Sequence, residues 1–195
     1  MEACLEVLQR AFAGERFEYE GRPVHVTPAP HTPGGPLLLM GGNSPVAARR
    51  AARFGMGLLT QGGDPKIAEI YAQECERLGR EPGICINPPS GTVTSAFVAR
   101  DPDAAWAKWG PHLLHDARMY AAWMTGAKSV TRSAAADVAS LRAEQGPYRI
   151  FTPEQAVAHI AESGVLMTQP LCGGLPPDEA WQSLQLIADE VLPKL

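Results

Sequence analysis

The sequence lacks any apolar run that approaches the roughly 20 residues of a membrane-spanning helix. It also lacks the basic and apolar leader that is typical of a secretory signal. Basic residues are not in excess, because 17 Lys and Arg stand against 21 Asp and Glu and give a formal net charge of −4. Nucleic-acid-binding proteins usually show the opposite balance. We therefore expect a cytoplasmic protein that has neither a membrane nor a nucleic acid as its partner.

Cysteine is scarce, and no two cysteines form a Cys-x-x-Cys pair, which disfavours a zinc ribbon or a thioredoxin-like site. The sequence also has no His-Glu-x-x-His pattern, no Gly-x-Ser-x-Gly elbow and no Gly-x-x-x-x-Gly-Lys loop. We therefore expect no metal site, no α/β-hydrolase and no P-loop NTPase. We expect all four cysteines to be reduced, small side chains that are buried or half-buried, namely Cys4, Cys75, Cys85 and Cys172.

The composition is that of a chain with a packed core and many turns. Of the 195 residues, 45 % are hydrophobic and 19 % charged, which does not fit disorder or a coiled coil. Nineteen glycines and 18 prolines indicate frequent short connections. The length predicts a single domain over residues 1–195.

Short apolar runs alternate with helical patterns along most of the chain. Each predicted strand ends in a turn, and several turns lead into a cap residue followed by proline, which is a helix-start signal. The predicted strands centre on Leu38, Leu59, Ala96 and Met167, and we expect them to form one parallel sheet. The helix-start signals are Ser44-Pro45, Asp64-Pro65, Asp101-Pro102 and Thr152-Pro153.

Three further elements complete the prediction. Alternating apolar and polar residues on both sides of Gly21 predict a β-hairpin over residues 16–26, outside the sheet. Residues 135–144 form a possible short helix. The stretch Pro176-Pro177-Asp178-Glu179 opens the last helix, and its spacing places Trp181 and Val191 on a buried face.

A repeated strand–turn–helix order predicts a parallel α/β fold. A doubly wound sheet and a (β/α) barrel both satisfy this order. A complete eight-stranded barrel needs roughly 250 residues, and this chain shows about four strand–helix units. We therefore expect a (β/α)8 TIM-barrel type fold of which only the C-terminal half is present, with the hairpin added near the N-terminus.

Three stretches occur in an order that points to one family. They are Phe17-x-Tyr19-x-Gly21-Arg22, the run Pro36-Leu-Leu-Leu-Met-Gly-Gly-Asn-Ser-Pro45, and Gln169-Pro-Leu-Cys-Gly-Gly174. This order resembles the bacterial luciferase-like monooxygenase superfamily, flavin-dependent oxidoreductases on a TIM barrel that use FMN or a deazaflavin coenzyme. The resemblance implies a flavin-dependent oxidoreductase or monooxygenase acting on a small organic substrate.

The best candidate site is the turn Gly41, Gly42, Asn43 and Ser44. It follows a predicted strand and opens a helix, whose free N–H groups and positive dipole end favour an anion. The resemblance puts the flavin phosphate here, with Ser44 on its oxygens, whereas an ordinary helix cap explains Ser44 equally. We expect a branched side chain at Gly42 to block the ligand and leave the helix start intact.

Two further residues, Thr60 and Gln61, end the next strand on the same side of the predicted barrel. Loops after neighbouring strands converge, so these residues are candidates to complete the cofactor site. A plain turn capped by Asp64 is the alternative. No catalytic residue is assigned.

Members of the resembled family usually carry a further N-terminal part with the first four strands. We therefore expect a homo-oligomer or a complementing N-terminal half as partner, since open sheet edges favour association. Two other functions stay open at this point. One is a non-catalytic or truncated half-barrel that associates with itself or with a partner chain, and the other is a doubly wound α/β binding module unrelated to flavin.

Overall fold

The computed structural model describes residues 1–124 and 129–195. The chain divides into two compact units. The first unit comprises Met1–Thr60 and Asp64–Asn87, and the second comprises Gln61–Gly63 and Pro88–Leu195. Along the described ranges, no helix has both the length and the apolar character needed to cross a membrane.

The first unit combines a small hairpin with a parallel three-stranded sheet. The hairpin strands pair antiparallel, as predicted, and the sheet has the order β3–β4–β5 with both pairs parallel. The elements are α1 (Glu2–Phe12), β1 (Phe17–Tyr19), β2 (Arg22–Val24), β3 (Leu39–Gly41), α2 (Pro45–Arg53), β4 (Gly57–Leu59), α3 (Pro65–Arg77) and β5 (Cys85–Ile86).

The two faces of this sheet differ in their burial. Met40 and Leu58 lie side by side in the register and are buried in a core that contains residues of α2 and α3. On the other face, Leu59 lies opposite Ile86, and both are exposed, as is Ile84 just before β5. Apolar side chains at 38–51 % exposure on one sheet face form an unusual surface for a folded unit.

The second unit contains a two-stranded parallel sheet surrounded by helices. Its strands pair in register from Ser95 opposite Tyr148 to Val98 opposite Phe151. The elements are β6 (Ser95–Val98), α4 (Pro102–Trp123), α5 (Val138–Ala143), β7 (Tyr148–Phe151), α6 (Pro153–Ser163), a 3₁₀ turn (Cys172–Gly174), α7 (Pro177–Leu186), a π-helical turn (Ile187–Val191) and a terminal 3₁₀ turn (Leu192–Lys194).

Both faces of this sheet are covered by apolar side chains. Phe97 and Ile150 belong to a core formed with α4, α5 and α7. Val98 and Phe151, which point the opposite way, belong to a second core with α6 and the turn at Val191. Alternate residues of each strand therefore enter different cores, which is why the whole of β6 is buried.

The edge of β6 that faces away from β7 is closed by two acceptors. The backbone N–H of Ala96 donates to the carbonyl oxygen of Met167 at 2.8 Å. The N–H of Val98 donates to the hydroxyl oxygen of Ser183 on α7, also at 2.8 Å. These contacts leave little of this edge open for another strand.

One of the four predicted strands is wrong. The run around Met167 is not a strand: its carbonyl oxygen accepts the Ala96 N–H, but the next outward N–H of β6, that of Val98, is taken by the Ser183 hydroxyl, so no ladder continues. The strand that pairs with β6 is Tyr148–Phe151, which the sequence analysis missed since Arg149 interrupts its apolar pattern. The prediction of a single sheet is also wrong, because the described strands form three separate sheets and no closed barrel. Their parallel sense outside the hairpin is confirmed.

The predicted helix starts are confirmed in detail. Asp64 accepts a hydrogen bond from Lys66 N at 3.0 Å, and Asp101 accepts two backbone N–H groups of α4. Thr152 and Gln155 cap each other reciprocally at the start of α6. In each of these helices proline occupies the first turn, where its missing N–H removes no helical hydrogen bond.

Burial differs from expectation at three side chains. Cys4 and Cys85 are exposed, whereas Cys75 and Cys172 are buried as expected. Cys85 lies on β5, a two-residue strand at the edge of its sheet, where no further strand covers it. Trp181 is 62 % exposed, because α7 turns Ala180 and Ser183 toward the sheet instead.

Candidate functional site

The turn after β3 has the geometry of a capped helix start. Gly41 is the last residue of β3, and Ser44 is the N-cap of α2 in an extended conformation. The Ser44 hydroxyl oxygen accepts a hydrogen bond from Ala47 N at 3.2 Å. The amino end of α2 therefore opens at the carboxyl end of a parallel strand, where α/β proteins commonly bind ligands.

Gly42 is required by packing within the turn itself. Its φ of +156° lies outside the range of most side chains, and a Cβ would come within 2.7 Å of the Ala47 Cβ. Its N–H donates to the carbonyl oxygen of Leu59 at 3.0 Å, which ties the turn to β4. The expectation that a branched residue here leaves the helix start intact is therefore wrong, since such a residue would displace the first turn of α2.

Gly41 differs from Gly42 in this respect. A Cβ placed on Gly41 meets no heavy atom of the described chain within 4 Å, and the residue is exposed. No packing contact explains a glycine at this position. An open space beside a helix N-terminus is the space that a phosphate group needs in order to reach backbone N–H groups.

Thr60 lies at the same end of the sheet as the turn, because Leu59 pairs with Gly41 in the parallel register. It is buried, and its N–H donates to the carbonyl oxygen of Ile86 at 2.8 Å. Its hydroxyl hydrogen-bonds the amide oxygen of Asn87, whose NH₂ group donates to the carbonyl oxygen of Asp64 at 3.0 Å. Thr60 therefore links the ends of β4 and β5.

The sequence analysis missed Asn87. Its one available signal was a polar amide directly after the apolar run Ile84–Ile86, which the sequence analysis did not predict to be a strand. By holding both Thr60 and the N-cap residue of α3, Asn87 orders the loop beside the candidate turn.

The structure brings together most of the predicted site residues. Gly41, Gly42, Asn43, Ser44 and Thr60 belong to the first unit, and Asn43 is exposed at the tip of the turn. Gln61 belongs to the second unit, where its carbonyl oxygen accepts the N–H of Val130 at 2.7 Å.

Two arginines of α2 form ion pairs with α1. Arg50 and Arg53 both contact the Glu2 carboxylate of α1, at 3.4 and 3.1 Å. The positive potential at the N-terminus of α2 therefore comes from its backbone N–H groups and not from these guanidinium groups. Within the described part of the chain, no group of three or more His, Cys, Asp and Glu side chains is placed to hold a metal ion.

Comparisons with known proteins identify a family for most of the chain. Residues 1–164 match the family model described as luciferase-like monooxygenase. No curated protein matches the chain.

Two solved structures are similar to the whole chain. One is the oxygenating constituent of 3,6-diketocamphane monooxygenase from Pseudomonas putida, a type II Baeyer-Villiger monooxygenase in complex with FMN, at a TM-score of 0.54 and 17 % identity. The other is coenzyme F420-dependent tetrahydromethanopterin reductase from Methanopyrus kandleri, at a TM-score of 0.47 and 15 % identity. The matches cover 100 % and 98 % of this chain, which spans 62 % of the length of each of those proteins.

Proposed function

This chain belongs to the luciferase-like monooxygenase family, and we propose from that premise that it is a flavin-dependent oxidoreductase. The turn Gly41–Ser44 holds the phosphate of FMN or of a deazaflavin coenzyme. The chain forms the C-terminal half of a (β/α)8 barrel over residues 1–195, and the complete active unit acts on a small organic substrate.

The open space at Gly41 is the observation that carries this proposal. It lies beside the N-terminus of α2, whose dipole favours an anion, and no heavy atom of the described residues lies within 4 Å of a Cβ placed there. The Ser44 oxygen accepts the Ala47 N–H and keeps its own hydrogen to donate to a phosphate oxygen. Helix cap and phosphate ligand are therefore compatible roles for this one hydroxyl.

The remaining residues of the first unit orient and shelter the cofactor. Thr60 and Asn87 hold the neighbouring loop in place, and Leu59 and Ile86 present an apolar sheet face. Such a face suits an aromatic ring system, because burial of apolar surface stabilises a bound ligand. The flavin, when bound, supplies the hydride and oxygen chemistry, while the protein binds and positions it.

The test is a flavin titration of two cap variants. Ser44→Ala and Asp64→Ala each remove an N-cap and should lower stability by about 1 kcal/mol. Only Ser44→Ala also removes a donor to phosphate, which should weaken FMN or deazaflavin binding roughly ten- to a hundred-fold. Binding is followed by the flavin absorbance or fluorescence, and stability by thermal unfolding.

Gly41→Val provides a second arm of this test. The Cβ of the added side chain enters the open space and meets no described heavy atom within 4 Å, so binding should fall and thermal stability should change little. Ser44→Thr retains the hydroxyl and should bind like the parent protein. The phosphate assignment is contradicted if Ser44→Ala and Gly41→Val bind flavin as tightly as the parent.

A non-catalytic half-barrel that associates with itself or with a partner chain is the second candidate function. The exposed apolar face around Leu59, Ile84 and Ile86 favours it. We expect sedimentation of the purified chain at micromolar concentration to show a dimer or larger species, and Ile84→Asp to shift it toward the monomer. A monomeric parent chain would contradict this association. We do not expect β6 to take part in this association, because the hydroxyl of Ser183 already accepts an N–H group on its outer edge.

A further inference from the structure

The second unit contains a polar cavity of about 300 Å³, whereas the candidate flavin turn belongs to the first unit. It is formed between the start of α4, the end of α5, strand β7 and the start of α6. Its polar side chains are those of Asp103, Arg142, Gln145, Arg149 and Gln155.

Arg149 is the unusual residue of this cavity. It is half-buried on β7, and its guanidinium lies over the Phe151 ring at 4.8 Å. Within the described residues, it donates one long hydrogen bond of 3.4 Å, to the carbonyl oxygen of Gln145, and no carboxylate lies within 4.0 Å of it. Burial lowers the pKa of this guanidinium. A half-buried cation with five N–H donors and so few acceptors has unused capacity for an anion.

The surrounding groups add positive charge and donors. Arg142 forms an ion pair with Asp103, so the two arginines and the aspartate leave the lining with one net positive charge. The Gln155 amide oxygen accepts the Thr152 N–H at 2.9 Å, which leaves its NH₂ group as a donor.

The backbone of β7 contributes in the same direction. The N–H groups of Ser95 and Ala99 donate to the carbonyl oxygens of Pro147, just before β7, and of Phe151 on β7. Because alternate residues of a parallel strand bond to the same neighbour, the N–H of Ile150 points away from β6. Ile150 is also one of the residues that line the cavity.

From this arrangement we propose that the cavity around Arg149 binds a small tetrahedral oxyanion, either free phosphate or the phosphate group of a phosphomonoester. Arg149 pairs with two oxygens of the anion, and Arg142 and the Gln155 amide contact the others. A planar guanidinium suits such bidentate contacts. This site is independent of the flavin proposal, since the two lie in different units.

The test is a titration of the ¹⁵N-labelled chain with inorganic phosphate, followed by NMR and repeated with chloride at matched ionic strength. Phosphate should shift the Ile150 amide and the Arg149 Nε–H saturably, and chloride should not. Arg149→Gln should weaken phosphate binding about ten- to a hundred-fold, as expected for the loss of charge-assisted hydrogen bonds. Arg149→Lys keeps the positive charge but loses the planar set of N–H donors. Its phosphate affinity should therefore lie between those of the parent and of Arg149→Gln.

One control variant and the choice of reporters make the result specific. Arg100→Gln removes an exposed arginine that pairs with Glu190 outside the cavity and should bind phosphate like the parent. The Ile150 amide and the Arg149 Nε–H belong to the second unit, so failure here and failure of the flavin site in the first unit are distinguishable. Tighter binding of glycerol 3-phosphate than of inorganic phosphate would identify a phosphomonoester, and the reverse would identify free phosphate.

The proposal is overturned by any of three results. These are a response to phosphate that does not saturate, an equal response to chloride, and unchanged affinity in the Arg149 variants. If Arg149→Gln does not fold, the shift map of the parent chain and the Arg149→Lys titration decide the question.

Discussion

Replacing Gly173 with alanine will destabilise the second unit by roughly 2–5 kcal/mol. Gly173 has a φ of +59° in the 3₁₀ turn after α6, a conformation that L side chains rarely adopt. A Cβ there would overlap the backbone carbonyl of His112 in α4, which is held by its helix and cannot rotate away. The turn would have to separate from α4 and would expose Cys172, which is buried in the main core.

Gly174→Ala is the matched control for this change. Gly174 also has a positive φ, +76°, but a Cβ on it meets no described heavy atom within 4 Å. Gly174→Ala should therefore lower the free energy of unfolding only by the cost of a left-handed backbone conformation, about 1–2 kcal/mol. Urea unfolding followed by circular dichroism measures both variants, and equal losses would show that the His112 contact has no effect on stability.

Tyr71→Phe will destabilise the first unit. The Tyr71 side chain is 2 % exposed, and its hydroxyl donates to the Met56 carbonyl oxygen at 2.9 Å while accepting the Gly83 N–H at 3.0 Å. Phenylalanine fills the same space but leaves both backbone groups without this partner. Met56 is buried, whereas Gly83 is exposed and its N–H can bond water instead. A buried group that loses its partner costs about 1–3 kcal/mol, so we expect a loss of this size, mainly from the Met56 carbonyl.

Tyr120→Phe serves as the comparison in the other unit. The Tyr120 ring packs edge-on against Trp123 at 5.8 Å and is only half-buried. Removal of its hydroxyl should change stability by less than about 0.5 kcal/mol. If Tyr71→Phe unfolds at the same urea concentration as the parent, the hydroxyl bridge contributes nothing.

The Tyr71 bridge also affects the candidate site. Met56 precedes β4 and Gly83 precedes β5, so one hydroxyl sets the starts of both strands. Thr60 and Asn87 lie at the opposite ends of the same strands and link them again. We therefore expect Tyr71→Phe to loosen the loop beside Gly41–Ser44 and to weaken flavin binding together with stability.

Local patterns were the part of this protein that the sequence by itself determined. The N-caps at Ser44, Asp64, Asp101 and Thr152 are all present, because capping depends on side chains within three residues of one another. The parallel sense of the sheets followed from the alternation of short strands with helices. The order of motifs identified the family, which the match over residues 1–164 confirms.

Long-range contacts were decided by the tertiary structure alone. The Ser183 hydroxyl lies 85 residues from Val98 in the sequence and takes the position where the run around Met167 would have continued as a strand. Strand β7 was missed because the charged Arg149 interrupts its apolar pattern. Only the structure shows that this charge lies over the Phe151 ring, beside a polar cavity. Gly41 and Gly42 are adjacent glycines with identical chemistry, and only the packed structure shows that a Cβ on Gly42 would collide with Ala47 while a Cβ on Gly41 would meet no described atom within 4 Å. Sequence spacing constrains neighbours along a helix or strand, whereas these distinctions depend on atoms that approach only when separate elements pack.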